Sequence, residues 1–466
     1  MRSSIPASVS RELSAIFPAG SILTDPADCW SYGYDNSRLH AVPDAVVFAQ
    51  SHEQVSQLVN VCNQEEIPIT ARGRGTGTTG ATVPLRNGIV LSLERMNSII
   101  EVSAGNRYMV VQPGVINKQI QDIAGQEGFF WPPDPTSAAF CTVGGNLAYN
   151  SAGPRAVKYG TPRENTLGLQ AVTGSGKTIR TGVFTTKGVV GYDLTRLLIG
   201  SEGTLGIITE AILKLTPLPE SKRTLRAVYS GISAASRAVS QIMAQPTIPC
   251  ALEFMDANAL EIIRKHSSVE LPANAAALLL IEVDGNRENI KQATKQIEAA
   301  AATEQLLEIR AAHSDDESAE LWKTRKALAP ALREIAPGKI NEDVVVPVTR
   351  LPELIEGLEQ LSIRFQLTIV NFGHAGNGNI HTNILYDPQN EAENRRAEEC
   401  LEAIFDLVIE LQGTLSGEHG VGLVKRDYIG REIEPDAMDL MRAIKKQFDP
   451  RGILNPGKMF PEPATL

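Results

Sequence analysis

A glycine-rich segment, Ala71-Arg-Gly-Arg-Gly-Thr-Gly-Thr-Thr-Gly80, constrains the fold of this chain more than any other feature. Its part from Gly75 to Gly80 matches the GxGxxG fingerprint, which requires a helix directly after the loop so that the helix N-terminus meets a pyrophosphate. Here the chain runs instead into residues 89–93, an apolar run that predicts a strand, so we exclude the Rossmann interpretation. Glycines interleaved with threonine still allow successive backbone N–H groups to converge on an anion, with Arg72 and Arg74 nearby. A flexible surface loop is the alternative for this segment taken alone.

The composition is that of an ordinary globular protein. Of 466 residues, 42% are hydrophobic and 21% charged, which suffices for a large core and excludes intrinsic disorder. The formal net charge of −10 argues against a general affinity for nucleic acid or anionic membranes. The five cysteines form no CxxC pair, so we expect neither a disulfide framework nor a cysteine metal site, and any iron–sulfur centre must belong to a partner.

Neither the N-terminus nor any apolar run has the pattern of a targeting or membrane segment. Residues 1–17 lack an apolar h-region and predict the start of an amphipathic helix. The longest purely apolar run, residues 275–281, is too short to cross a bilayer. We expect a cytoplasmic, multidomain protein that reaches the inner membrane, if at all, through a partner.

Strand and helix signals change in character after Pro217-Leu-Pro219, the clearest linker. Before it, short apolar runs predict strands, and Ser51 with Gln54 predicts the capped start of a helix. The segment Thr173-Gly-Ser-Gly-Lys-Thr178 resembles a P-loop without its first glycine and predicts a hairpin turn. The predicted strands are 44–49, 67–72, 89–93, 167–172, 178–181, 206–215, 276–283 and 367–372, and the predicted helices are 288–308, 317–335 and those of a helix-rich segment from about 393.

Two further segments are rich in small residues. The second runs from Pro132-Pro-Asp-Pro-Thr-Ser137 through Thr142-Val-Gly-Gly-Asn146 to Asn150-Ser-Ala-Gly153, and the third is Gly200-Ser-Glu-Gly-Thr-Leu-Gly206. We expect three loops, each beside a strand. Such loops let backbone atoms approach both the phosphates and the ring of an extended cofactor.

The spacing of these three segments resembles the FAD-binding domain of the vanillyl-alcohol oxidase/PCMH superfamily, and the resemblance covers nearly the whole chain. The most similar group is that of D-lactate dehydrogenases and glycolate oxidase FAD subunits, with D-2-hydroxyglutarate dehydrogenases as cousins. The resemblance implies an α+β fold: a two-lobed PCMH-type FAD-binding domain (1–218), a cap domain with an antiparallel sheet (219–410) and a C-terminal helical return to the flavin (411–466).

The resemblance also implies which residues contact FAD. The first loop has no histidine to tether the flavin, so we expect non-covalent FAD. The predicted contacts are Arg72, Gly73, Arg74, Gly75, Thr76, Gly77, Pro133, Asp134, Ser137, Thr142, Gly144, Gly145, Asn146, Asn150, Gly153, Glu202, Gly206, Ile207, Ile208 and Asn455.

Three of the seven histidines lie in two glycine-rich segments near the C-terminus, residues 371–383 and 416–422. The first segment predicts a strand, a tight turn and a second strand, whose period of two places His381 and Asn383 on one face. Two histidines and an acid would form a His₂Glu set with an open coordination position, as suits Zn²⁺ and some other divalent metals. A hydrogen-bonded core histidine and a structural metal are the alternatives. The candidate ligands are His374, His381 and Glu418.

These segments resemble the GHxGxGNxH and EHGxG motifs of metal-containing 2-hydroxy acid dehydrogenases. The resemblance implies that His374, His381 and Glu418 bind the metal. His419 matches the general base and Asn383 a substrate-contacting amide. Trp322-Lys-Thr-Arg325 resembles the segment whose arginine binds the substrate carboxylate in a bidentate manner, with an exposed helical arginine as the alternative.

The sequence therefore predicts an FAD-dependent dehydrogenase, with Zn²⁺ or Mn²⁺, that oxidises a small D-2-hydroxy acid, D-lactate or glycolate, to the 2-oxo acid. His419 would remove the hydroxyl proton during hydride transfer or, alternatively, the Cα proton on a carbanion route. Ala329, where dicarboxylate-specific cousins carry a hydroxyl, favours a monocarboxylate, although Lys339 leaves D-2-hydroxyglutarate as an alternative.

Reduced FAD would pass electrons to a separate acceptor: a quinone, a cytochrome, an electron-transferring flavoprotein or an iron–sulfur subunit. No nucleic-acid partner is expected, and a homodimer is compatible with the sequence. A non-catalytic FAD subunit that only relays electrons is the second alternative, and it would lack the histidine–glutamate set.

Overall fold

Strand Ile69–Arg72, which leads into the first glycine-rich loop, lies at the edge of a four-stranded sheet. The structure is a computed structural model that describes residues 5–266 and 269–462. The strand order in this sheet is Ile22–Leu23, Ala45–Phe48, Ile89–Ser92 and Ile69–Arg72, and the last three are parallel. No helix occurs in residues 73–88, all of which are described, so the exclusion of a Rossmann fingerprint is confirmed.

The predicted helix after the first apolar strand is present as His52–Glu65. It begins at Ser51, whose hydroxyl accepts a hydrogen bond from the Gln54 N–H at 3.3 Å. Its apolar stripe packs with Ile69 and Ile89 of the parallel sheet in one buried cluster. This packing fixes the strand that leads into the glycine-rich loop.

A second sheet of five antiparallel strands carries the third small-residue segment. Its strand order is Ile99–Ser103, Tyr108–Val111, Gly206–Lys214, Thr166–Thr173 and Thr178–Gly182. Residues 174–177 form the turn between the last two strands, which confirms the hairpin prediction and excludes a P-loop. A further short pair joins Phe129–Phe130 and Thr216–Pro217.

The second small-residue segment differs from the prediction. We expected a loop beside a strand, but residues Val143–Tyr149 form a helix. The helix starts at Thr142, whose Oγ1 accepts a hydrogen bond from the Gly145 N–H at 3.3 Å, so a threonine and two glycines that suggested a loop are the cap and first turn of a helix. The other helices packed with these sheets are Ala7–Ile16, Pro26–Trp30, Asn117–Gln126, Leu194–Leu198 and Pro435–Phe448, with a 3₁₀ turn at Ile429–Arg431.

The segment after Pro217 builds a seven-stranded antiparallel sheet, as the predicted cap domain requires. Its strand order is Leu306–Ala311, Ser221–Tyr229, Ala277–Gly285, Ala251–Asp256, Thr368–Gly373, Asn379–Tyr386 and Gly338–Val345. The helices of this part are Ala156–Tyr159, Ile232–Ala244, Ala257–His266, Ile290–Ala301, Asp315–Ile335, Leu351–Phe365 and Glu391–Glu410, with 3₁₀ turns at Val348–Arg350 and Ala375–Asn377.

One helix prediction in this part is wrong at its end. Residues 288–308 were predicted as a single helix, but the helix ends at Ala301 and Leu306–Ala311 is an edge strand paired with Ser221–Tyr229. Gln305, between the two, has a φ of +64°. The alanine-rich composition favours a helix, but the pairing of residues 306–311 with a neighbouring strand overrides it.

Two units account for the described chain. The first comprises residues up to 152, 160–218 and 418 onwards, and the second comprises 153–159 and 219–417. The change at Leu218–Pro219 falls in the Pro217-Leu-Pro219 segment, whereas the limits 1–218, 219–410 and 411–466 stay a prediction about domains, and residues 1–4 and 463–466 lie outside the described chain. Mixed helices and antiparallel sheets confirm the α+β class. Within the described residues, no helix combines the length and the apolarity that a membrane span needs.

Candidate functional site

A cavity lined mainly by apolar surface lies in the first unit. All three small-residue segments contribute to its wall. The predicted FAD contacts on this wall are Arg72, Gly73, Thr142, Gly144, Gly145, Glu202, Gly206, Ile207 and Ile208, and neighbouring positions add Ala81, Thr82, Leu93, Pro113, Ala148, Tyr149, Ser201 and Gly203.

Three features of the wall suit a large ligand with phosphates. A Cβ placed on Gly145 would have only Thr142 Oγ1, at 3.4 Å, within 4 Å, so the glycine leaves space that a cofactor can occupy. The Tyr149 hydroxyl is buried and has no hydrogen-bond partner among the described residues. The Arg72 guanidinium is buried and held by the Tyr34 carbonyl at 2.6 Å, and burial lowers its pKa. An apolar cavity with one hydroxyl that lacks a hydrogen-bond partner within the described chain and one buried guanidinium fits a cofactor such as FAD.

The remaining predicted FAD contacts lie elsewhere. Asn146 is buried and accepts a hydrogen bond from Asn117 Nδ2 at 3.0 Å, and Gly153 belongs to the second unit. Asn455 donates from Nδ2 to the carbonyls of Ala81 (2.9 Å) and Glu202 (2.7 Å), so it ties the C-terminal segment to two residues of the cavity wall. The predicted residues that do not line this cavity are Arg74, Gly75, Thr76, Gly77, Pro133, Asp134, Ser137, Asn146, Asn150, Gly153 and Asn455.

The segment that carries His419 forms hydrogen bonds with all three small-residue segments. The Thr79 hydroxyl donates to the His419 carbonyl at 3.2 Å, and the Ser151 hydroxyl donates to the Glu418 carbonyl at 3.4 Å. The Glu202 carboxylate accepts the N–H groups that follow His419, from Val421 at 2.6 Å and from Gly422 at 2.8 Å. Burial raises the pKa of Glu202 to about 7 despite these hydrogen bonds. The three small-residue segments therefore fix the backbone around the predicted base.

A histidine pair lies in the second unit, where the predicted strand, turn and strand are present as Thr368–Gly373, Ala375–Asn377 and Asn379–Tyr386. His374 is buried and His381 half-buried, and their Nε2 atoms are 3.5 Å apart. Their rings are nearly perpendicular, at 86°. Two ring nitrogens at this distance could bind one ion, and ligation by His374 and His381 stays a prediction.

The predicted third ligand follows this unit directly. Gly417, its last residue, donates its N–H to Asp343 Oδ2 at 2.9 Å, and Glu418 comes next in the chain. Glu418 belongs to the first unit, and its role as the third ligand stays a prediction. Two nitrogens bound tetrahedrally to zinc at about 2.0–2.1 Å lie about 3.3 Å apart, close to the distance between the histidine Nε2 atoms. The two histidine nitrogens therefore fit a divalent ion such as Zn²⁺ or Mn²⁺.

Glu253, which the sequence analysis missed, holds the histidine pair in place. It lies in strand Ala251–Asp256 with 1% of its surface exposed. Its Oε1 accepts a hydrogen bond from His374 Nδ1 at 2.5 Å. Burial acts to raise the pKa of Glu253, but the charges of His374 and Arg325 outweigh it and lower the pKa to about 2. The sequence does contain a signal for Glu253, because it is a single acid within the apolar run Ala251-Leu-Glu-Phe-Met255.

Arg325 lies beside this glutamate and is not the exposed arginine that the alternative interpretation required. Only 8% of it is exposed, because position 325 falls on the buried stripe of helix Asp315–Ile335 with Leu321 and Leu328. Its Nη2 donates to Glu253 Oε2 at 2.7 Å, and its guanidinium lies 4.7 Å from the Phe372 ring centroid. Its Nε is buried and has no hydrogen-bond partner among the described residues, so the guanidinium retains a donor.

Asn383 is the predicted residue whose surroundings offer the least to a substrate. It is fully buried, and its Nδ2 donates to the carbonyls of Val370 (3.1 Å) and His381 (3.0 Å). Its Oδ1 accepts a hydrogen bond from Asn341 Nδ2 at 2.8 Å. Its role as a substrate contact stays a prediction, and Asn341, half-buried on the neighbouring strand, is a further amide at this place.

The sequence matches two protein-family models. Residues 43–182 match the FAD binding domain, and residues 218–459, more than half of the chain, match the C-terminal domain of FAD linked oxidases. The chain belongs to the FAD-linked oxidase family. This FAD-linked oxidase is therefore an FAD-dependent oxidoreductase, and the predicted vanillyl-alcohol oxidase/PCMH superfamily is confirmed.

Named relatives cover almost the whole of this FAD-linked oxidase. Glycolate oxidase subunit GlcD of Bacillus subtilis is 41% identical over 93% of this chain and 92% of its own length. A D-lactate dehydrogenase of Archaeoglobus fulgidus is 35% identical over 93% of this chain and 96% of its own length. Among solved structures, p-cresol methylhydroxylase has a TM-score of 0.80 with 18% identity over 98% of both chains, which shows a shared fold.

Proposed function

We propose that this FAD-linked oxidase is a metal-dependent dehydrogenase that oxidises a small D-2-hydroxy acid, D-lactate or glycolate, to the 2-oxo acid. The observation that carries the proposal is the buried contact of Glu253 with both His374 and Arg325, at 2.5 Å and 2.7 Å. It joins a candidate metal ligand to a guanidinium with a free donor, and a metal ion and a guanidinium are suited to the hydroxyl and the carboxylate of a 2-hydroxy acid.

The carboxylate end of the substrate is assigned to Arg325. A planar guanidinium binds a carboxylate through two parallel N–H groups, and burial strengthens such a contact because water competes less. The Phe372 ring beneath the guanidinium fixes its plane. A single guanidinium supports a monocarboxylate, in line with the names of the two relatives, which refer to glycolate and D-lactate.

The hydroxyl end is assigned to His374, His381, Glu418 and His419. A bound Zn²⁺ or Mn²⁺ would supply Lewis-acid polarisation of the hydroxyl, and bound FAD, held without a covalent link, would supply the hydride acceptor. His374 and His381 would hold the ion through Nε2 and Glu418 through a carboxylate oxygen. His419, as a neutral imidazole, removes the hydroxyl proton, with its backbone fixed by Thr79.

The electrons are proposed to leave reduced FAD for a separate acceptor, such as a quinone, a cytochrome, an electron-transferring flavoprotein or an iron–sulfur subunit. None of the five cysteines of this chain forms a CxxC pair, and each is buried as a single thiol, so a cluster in this route belongs to a partner.

The test is anaerobic reduction of the flavin by glycolate, D-lactate, L-lactate and D-2-hydroxyglutarate in turn. We expect the visible flavin band to bleach with D-lactate or glycolate. Arg325→Met should raise the KM for the acid, and Arg350→Met, which alters an exposed arginine of the same unit, should leave it unchanged. Failure of every acid to reduce the wild-type flavin would contradict the proposal and favour an electron-relay subunit.

A further inference from the structure

Glu253 occupies a strand position where the fold does not require a carboxylate. All six residues of its strand are buried, and its nearest neighbours along the strand are Leu252 and Phe254. Burying a carboxylate is costly, and well-packed apolar residues usually stabilise a sheet interior as well as or better than a buried ion pair. A carboxylate kept at this position therefore has to be explained by what it contacts.

The strand register places Glu253 opposite one candidate metal ligand. Phe254 pairs with Gly373 across the antiparallel sheet, so the preceding Glu253 faces the following His374. Acceptance of the Nδ1 hydrogen by Oε1 at 2.5 Å fixes the imidazole tautomer and leaves the Nε2 lone pair for an ion. The same contact fixes the ring so that Nε2 points at His381 Nε2, 3.5 Å away.

The second carboxylate oxygen faces the candidate substrate arginine. Oε2 accepts from Arg325 Nη2 at 2.7 Å, which uses one of the five donors of the guanidinium and leaves the buried Nε without a partner among the described residues. The side chains of His374 and Arg325 are only 8% and 9% exposed, so water has little access to either contact.

Resting on the proposed function, we propose that Glu253 is a positioning residue that binds the metal-ligating His374 and the carboxylate-binding Arg325 at once. It couples the position of the ion to that of the substrate carboxylate. A 2-hydroxy acid holds its hydroxyl and carboxyl on adjacent carbons, so a site that fixes the distance between ion and guanidinium selects this class of substrate.

The test compares Glu253→Gln with Glu282→Gln in the FAD-loaded protein. Glu282 is a buried acid of the adjacent strand that accepts hydrogen bonds from Thr224 (3.3 Å) and Trp322 (3.0 Å), neither of which is a predicted site residue, so it controls for the loss of a buried carboxylate. Zn²⁺ affinity is measured without substrate, by competition with a chromophoric chelator. The KM and kcat for the best 2-hydroxy acid are measured separately.

We expect Glu253→Gln to bind Zn²⁺ about 10- to 100-fold more weakly, as is usual when the partner of a metal-ligating histidine is removed, and to show a raised KM. Glu282→Gln should keep both values. If Glu253→Gln does not fold, Glu253→Asp replaces it: this side chain is one methylene shorter and cannot reach both partners, so reduced Zn²⁺ affinity is again expected.

The outcomes separate this inference from the function on which it rests. Wild-type Zn²⁺ affinity and KM in the Glu253 variant overturn the positioning role alone. A wild-type protein that binds neither Zn²⁺ nor Mn²⁺ overturns the metal-dependent function and the inference together. Equal losses in the Glu253 and Glu282 variants overturn the inference by showing a merely structural effect.

Discussion

Replacing Gly145 with valine tests whether the cavity of the first unit holds FAD. Gly145 lies in the first turn of helix Val143–Tyr149 and lines the cavity. A Cβ at this position would lie 3.4 Å from Thr142 Oγ1 and, apart from its chain neighbours and the backbone of its own helix, would have no other heavy atom within 4 Å. The added side chain therefore extends into the cavity instead of into the protein interior.

The expected effects on fold and cofactor are opposite in sign. Valine has a higher helix propensity than glycine by a few tenths of a kcal/mol, so the free energy of unfolding of the apoprotein should be unchanged or slightly raised. Three added carbon atoms within the cofactor's volume amount to overpacking, which costs about 1–3 kcal/mol. That penalty corresponds to an FAD Kd about 5- to 150-fold higher.

The assay is the ratio of FAD to protein after gel filtration, followed by titration of the apoprotein with FAD and by thermal unfolding. Gly125→Val is the matched control, because Gly125 also lies in a helix, Asn117–Gln126, with no heavy atom within 4 Å of its added Cβ, and it does not line the cavity. A Gly145→Val protein with the wild-type FAD content and Kd would refute the assignment of this cavity.

Three further predictions follow from the two sites. Acid precipitation should release FAD into the supernatant, since the first loop has no histidine; flavin retained in the precipitate would contradict non-covalent binding. Chelation should abolish flavin reduction by D-lactate while FAD stays bound, and added Zn²⁺ or Mn²⁺ should restore the reduction. His381→Ala should act like chelation, whereas His419→Ala should keep the metal but lose about 10²–10⁴-fold in rate. Full-rate reduction by metal-free wild-type protein would refute the mechanism. Glu202 has a pKa of about 7 in the folded protein against an ordinary 4.5, so the folded state keeps a proton that the unfolded state loses. Its contribution to the free energy of unfolding should therefore fall as the pH rises from 4.5 to 7. In urea titrations of the apoprotein, the free energy of unfolding of Glu202→Gln should fall less steeply with pH than that of the wild type, and an equal dependence on pH would contradict the raised pKa of Glu202.

Much of the fold follows from local sequence patterns. The Ser51 cap, the hairpin at residues 174–177 and the strand–turn–strand around His374 were predictable, because each depends on neighbouring residues. The end of helix Ile290–Ala301 was not, because no glycine or proline marks it and the next strand is defined by pairing with Ser221–Tyr229. Helix Val143–Tyr149 was missed because its glycines suggest a loop, whereas the Thr142 cap and packing make a helix.

The candidate site divides in the same way. His374 and His381 are seven positions apart in one hairpin, so their proximity follows from the turn between them. Glu253 is 121 positions from His374, and only the pairing of strand Ala251–Asp256 with Thr368–Gly373 brings the two together. A single sequence does not contain that register, so the link between the metal ligand and Arg325 could not be predicted from it.

Arg325 and Glu253 nevertheless share a signal in the sequence. Arg325 occupies a position of the apolar stripe formed by Leu321, Leu328 and Leu332, and Glu253 interrupts an apolar strand. A buried charge is tolerated when an opposite charge or hydrogen-bonding groups compensate it. Two isolated charges of opposite sign on two buried faces are therefore expected to form an ion pair with each other. The helix packs on the sheet through Leu321 and Leu328, in one cluster with Met255 and Phe372, and this contact brings Arg325 to within 2.7 Å of Glu253. Charged residues that break a burial pattern therefore identify members of a site even where the fold that joins them is not yet known.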